Sequence, residues 1–373
     1  MKSRDCELSA MNMNIEGELA SKKQEKKLAE QVEERRNSLS TDRLDMSYGE
    51  ILGMYDRDEL IIDPEFQRLF RWERHQMSRF VESVLLGIPT PPIFVAENEE
   101  GQWELVDGLQ RTSTLISFFG SLKNDEKCKN GWSLDSGELV PELENFNHLT
   151  LPKKFLLNIK RSSCRIEILR WNSNYDMRYE LFNRLNTGGS PLTDQEIRNC
   201  IFRGVDSSFN DLLKELSEDK NLLSLVSPTS KQEDTLYLQE LVLRFMSLYE
   251  ANGEFKGAFI KQHMTSYMKK AVSDGFDKNV CKLLTEVLEN LSSLGAQIFR
   301  FSNGCFSTSL FDAITVGMAK NIESVRLLDT KDIKYKINSL KEDKEFRTLT
   351  GSAASGRIRV VKRVEKGILH FAS

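Results

Sequence analysis

Asp107, Gly108, Gln110, Arg111 and Thr112 put a carboxylate, a glycine, an amide, a guanidinium and a hydroxyl into one short run. Those groups together suit an oxyanion. The forked cation of Arg111 matches phosphate oxygens, Gly108 lets the backbone come close, and Asp107 can hold Mg²⁺ or orient a water. What such a run does depends on the elements that carry it.

Trp103 to Val106 reads as a short buried strand, and Leu109 onward, through Ile116, Phe118 and Phe119, as a helix. The first backbone N–H groups of a helix have no partners within it, so a strand, glycine and helix start in this order commonly hold anions. The competing reading is an ordinary capped helix, with Asp107 bonded to amides two or three residues on and Arg111 exposed. Upstream, Leu60-Ile61-Ile62 reads as a strand stopped by Pro64, and it delivers Gln67 and Arg68 to a polar turn. A helix from Trp72 to Leu86 ends at Gly87, and Ile93 to Ala96 forms a hairpin or sheet corner with the strand that leads to Asp107. Downstream, Arg165 to Trp171 alternates as a half-buried strand, and Tyr175 to Leu185 has helical spacing. Asn183 to Gly189 offers Arg184, Asn186 and glycines that could close over a base or ribose, or could simply be a helix C-cap. Thr193 and Glu196 form a capping box, with Arg198 and Asn199 in the first turns of its helix.

The chain of 373 residues has room for two domains, and a hydrophobic fraction of 39% with 29% charged residues is that of a globular protein. A net charge of -4 argues against a wholly basic nucleic-acid binder, so any polyanion site must be local. The six cysteines are scattered with no C-x-x-C pair, which suggests neither a zinc ribbon nor a disulfide framework. No run reaches the roughly 20 apolar residues of a membrane span, and a cytoplasmic location is expected. Residues 1–45 read as a charged leader, frayed or helical, and residues 46–205 as an α/β domain. Residues 206–350 read as helices with apolar residues at three and four spacing, and 351–373 as a linker and a basic terminal helix. The linker, Gly351 to Gly356, imitates a P-loop but lacks its lysine and its preceding strand, so it reads as a flexible joint. Arg357, Arg359, Lys362, Arg363 and Lys366 could touch a DNA backbone, a solvated helix face being the competing reading.

Five ordered segments carry a resemblance: Asp63 to Arg68, the helix with Trp72, Pro89-Thr90-Pro91-Pro92-Ile93, Val106 to Arg111, and Phe182 to Gly189. Together they resemble the N-terminal domain family of GmrSD-type restriction endonucleases. The resemblance implies an α+β fold: a ParB/sulfiredoxin-like α/β domain followed by an all-helical domain. It also implies binding and hydrolysis of a nucleoside triphosphate with Mg²⁺, as a switch module in restriction or antiphage defence against foreign DNA. By position, Asp107 and Arg111 are the expected catalytic residues, with Gln67, Arg68, Gly108, Gln110, Thr112, Arg184 and Asn186 on the nucleotide. Leu109 stands where the family usually has glutamine. His75, His148, His263 and His370 are far apart, so nuclease chemistry of the histidine and asparagine type is not expected. The alternative is a non-catalytic DNA-binding or adaptor protein that partners a separately encoded nuclease subunit.

Overall fold

The computed structural model describes residues 24–34, 36–37, 40–62, 70–98, 100–123, 130–170, 192–203, 207–233, 235–251, 255–351 and 353–372. The chain divides into two units, Met1–Thr187 and Gly188–Ser373.

The first unit is built on a five-stranded sheet in the order β1-β5-β3-β4-β2. Its strands are β1 (Thr41–Ser47), β2 (Leu60–Ile61), β3 (Ile93–Glu97), β4 (Trp103–Asp107) and β5 (Ser163–Leu169). β3 and β4 form the expected antiparallel pair, with a register shift between Phe94 and Val95, and β3 runs parallel to β5. The central strands are apolar because they are covered: Ile93, Val95, Leu105, Val106, Ile166 and Ile168 are all buried. Helices α1 (Tyr48–Asp56), α2 (Arg74–Leu86), α3 (Leu109–Phe118) and α4 (Lys153–Arg161) belong to this unit. α2 ends where glycine stops it, Gly87 taking the left-handed conformation at φ 73.

Two features depart from the sequence reading. The charged leader is helical at 24–34 and 36–37, but its end is the edge strand β1, paired antiparallel with β5 from Thr41↔Leu169 to Ser47↔Ser163. The charges at that end are cross-strand partners: Arg43 with Glu167, Asp45 with Arg165 and Asp42 with Arg170. The polar, turn-rich stretch after Ser121, whose composition suggests an insertion over the surface, is packed instead. Trp132, Leu134, Leu143 and Leu151 are buried, and Trp132 Nε1 donates to Ser117 Oγ at 3.0 Å. The helix expected at Tyr175 to Leu185 lies outside the described residues.

The second unit is helical, which completes an α+β chain. It contains α5 (Asp194–Arg203), α6 (Ser207–Ser217), α7 (Lys220–Val226), α8 (Tyr237–Tyr249), α9 (Ile260–Asp274), α10 (Lys278–Ser292), α11 (Thr308–Lys320), α12 (Thr330–Glu342) and α13 (Arg357–Ala372). α11 is hidden on every side, from Ser309 to Ala319, and α13 lies against it. The two helices approach so closely that a Cβ on Gly367 would fall 2.1 Å from Ala313 O. Only glycine fits there.

The last stretch also differs from expectation. The small-residue joint before α13 is pinned: Ile260 N donates to Ser355 O and Arg357 N to Ala258 O, both at 2.9 Å. Those bonds need no side chain, so composition alone read the joint as flexible.

Candidate functional site

β4 ends at Asp107, Gly108 turns the chain at φ 99 and ψ 12, and α3 begins at Leu109. A side chain at Gly108 would be strained at that φ, and its Cβ would meet Ile93 Cγ1 at 3.1 Å. The strand, turn and helix therefore require glycine at this point. No side chain caps the first turn of α3, so its amides are not committed to a neighbouring oxygen of the cap residue. Within the next turn, the hydroxyls of Thr112 and Ser113 are buried with no hydrogen-bond partner among the described residues. Buried unpartnered hydroxyls are uncommon because each forfeits a bond it had in water.

Arg111 folds back over this turn. Its Nη2 donates to Asp107 Oδ2 at 2.9 Å, and its Nη1 donates to the carbonyls of Pro91 and Pro92. A proline has no N–H to offer but keeps its carbonyl, so the two prolines before β3 present acceptors that no strand partner claims. The guanidinium thus ties the start of β3 to the start of α3. The Arg111 side chain is 12% exposed and that of Asp107 is 41% exposed, so the carboxylate is the member of the pair that a ligand reaches first.

Gln110 points the other way along the chain. Its Oε1 accepts from Arg71 N at 2.9 Å and Trp72 N at 3.0 Å. One amide side chain therefore anchors the segment that follows Gln67 and Arg68. Gln67, Arg68, Arg184 and Asn186 themselves lie outside the described residues.

Three residues beside Arg111 were not found from sequence. Tyr48 OH and Thr90 Oγ1 are 2.9 Å apart, and Cys164 lies next to Tyr48. Burial pushes the Tyr48 phenol up to about 12 and the Cys164 thiol up to about 12. Both stay protonated at neutral pH, so Cys164 is no nucleophile and neither group adds a negative charge that would compete with an anion near Arg111. Their distance along the chain hid them.

Among the described residues no group of three or more His, Cys, Asp or Glu is placed to hold a metal. Asp107 is a single carboxylate, which fits a Mg²⁺ ion that arrives with phosphate oxygens and keeps its waters.

These features sit in one recognisable stretch. Residues 48–203 match the model of the GmrSD restriction endonuclease N-terminal domain. Residues 48–203 belong to that family. The GmrSD N-terminal match contains the whole strand, turn and helix at Asp107, and it runs on past the unit boundary at Thr187 to the end of α5. No curated protein matches the chain, and no solved structure does. Among the described residues no helix is long and apolar enough to cross a membrane.

The basic tail is the clearest correction. Arg363 is 0% exposed, with Nε and Nη2 donating to Asp312 Oδ2 at 2.9 and 2.5 Å. Lys366 pairs with Asp343 at 2.9 Å and Glu345 at 2.5 Å. Arg363 cannot reach a DNA backbone, because the buried face of α13 is the face that carries it.

Proposed function

We propose that this chain is a component of a restriction or antiphage defence system, and that its first unit binds and hydrolyses a nucleoside triphosphate at Asp107 to Thr112. The observation that carries the reading is the uncapped start of α3 behind a left-handed Gly108, with the Asp107 carboxylate exposed beside it. Helix-start amides bind the phosphate oxygens, and the positive end of the helix favours their charge. Arg111 keeps Asp107 in place through the 2.9 Å bond, so that the carboxylate does not swing onto the amides and block them. Gln110 holds the Arg71 and Trp72 backbone against the same turn. A Mg²⁺ ion carried by the phosphates would be held by Asp107 and would neutralise charge as the terminal phosphoryl group passes to water.

The test is phosphate release from ATP, GTP, CTP and UTP by the full chain with Mg²⁺, beside Asp107→Ala. Turnover of at least one nucleotide, reduced a hundredfold or more in the variant, is the expected result. Equal release by both proteins ends the enzymatic reading.

A further inference from the structure

The second unit contains a buried cation that its surroundings only half satisfy. Arg198, in the first turns of α5, is 0% exposed. Its Nε donates to Gln195 Oε1 at 2.9 Å, but Nη1 and Nη2 are buried with no hydrogen-bond partner among the described residues. The nearest carboxylate oxygen, Glu240 Oε2, is 3.7 Å from Nη2, close enough for attraction and too far for a hydrogen bond.

The side of the guanidinium that is satisfied is rigid. Gln195 Nε2 donates to Asn199 Oδ1 at 2.8 Å, Asn199 Nδ2 to Gln239 Oε1 at 2.7 Å, and Asn210 Nδ2 to Asn199 O at 3.2 Å. This chain of amides orients the fork and supplies no charge to balance it. The other side is loose. The Glu240 side chain is 30% exposed, and Glu240 lies in the first turn of α8, where a carboxylate is favoured by the helix dipole with or without Arg198. A buried guanidinium with two nitrogens unused is costly to keep, and packing alone would be served better by an apolar side chain of the same size.

We propose that Arg198 is an oxyanion seat within the second unit, taking a phosphate group on Nη1 and Nη2, with Glu240 as the displaceable occupant that rotates toward water when the anion enters. The two nitrogens form the planar fork that accepts two oxygens of one phosphate. Entry is by exchange of one anion for another, so the buried charge is never left bare. The proposal stands independently of the nucleotide reading, which concerns residues of the first unit.

The experiment is thermal unfolding of the full chain against rising inorganic phosphate, with chloride at matched ionic strength as control, for wild type, Arg198→Met and Glu240→Gln. The wild type gains stability in a saturable way with phosphate and not with chloride. Glu240→Gln reaches the same gain at severalfold lower phosphate because the competing carboxylate is gone. Arg198→Met loses the gain that Glu240→Gln sharpens. If Arg198→Met does not unfold cooperatively, Arg198→Lys carries the comparison, since it keeps the charge, loses the fork and needs at least about tenfold more phosphate. An unchanged response in the Arg198 variants, or an equal response to chloride, overturns the proposal. Failure of the nucleotide reading leaves the Arg198 response intact.

Discussion

Arg363 and Arg198 are both fully shut away from water, and the protein provides for them in opposite ways. Arg363 shares the Asp312 carboxylate with Arg244, whose Nε and Nη2 donate to Oδ1 at 2.5 Å and Oδ2 at 2.8 Å. The remaining nitrogen of Arg363 donates to the carbonyl of Ala354. Burial opposes ionisation of Asp312, and the two guanidiniums outweigh it and hold its carboxyl below the usual range. Arg198 has one neutral amide and a carboxylate at 3.7 Å. The first arrangement fastens α13, and through it the chain end, to the core of the unit. The second contributes little to holding anything together. Charge burial that is complete in its bonds reads as structure, and charge burial that is incomplete points to a partner still to come.

The largest effect expected from this contrast is at Asp312. Asp312→Ala leaves two guanidiniums buried without their carboxylate and should cost about 3–5 kcal/mol in urea unfolding. Arg198→Met removes a charge that was never fully paired, leaves Glu240 free to hydrate, and should stay within about 1 kcal/mol of wild type. If the two changes destabilise equally, the distinction between the two arginines fails. A smaller effect sets the fully paired Asp312 cluster apart, by pH, from a buried group that has no charged partner among the described residues. His263 is buried against Phe255, with its Nδ1 accepting from Lys256 N at 3.2 Å and its Nε2 bonded to Ser247 O at 3.0 Å. Burial, the largest cause, lowers its pKa below the ordinary 6.5. The unfolded chain therefore takes up this proton first, and the stability from neutral His263 is complete above about 6.5 and declines as pH falls below it. The Asp312 cluster, already held ionised, should not respond over that range. Calorimetric melting points from pH 7.5 to pH 5.5 should fall in the wild type and flatten in His263→Phe; a fall of equal size in the variant would place the titrating group elsewhere.

The same comparison explains what the sequence could and could not tell. The run from Trp103 to Phe118 was legible because each step is local: an apolar strand, a glycine suited to φ 99, and a helix that starts directly after it. The helical character of residues 206–350 was legible for the same reason. The edge strand β1 was not, since its partners lie more than a hundred residues away in β5 and its Asp42, Arg43 and Asp45 look like any solvated run. Arg363 was read as a surface cation because an arginine beneath a helix and one above it are the same letter. The Pro91 and Pro92 carbonyls that hold Arg111 were equally invisible, because backbone acceptors leave no mark on the residue type. The orphaned fork of Arg198 appears only when every neighbour has been placed.

The central claim is that the turn at Gly108 receives a triphosphate, and equilibrium binding tests it most directly. Labelled ATP, GTP, CTP and UTP should be titrated in the presence of Mg²⁺ into the full chain and into Asp107→Asn, whose folding is checked by its unchanged melting point. The account predicts saturable binding of at least one nucleotide by the wild type, weakened tenfold or more in the variant. Binding of equal strength in both, or of none by the wild type, would contradict it.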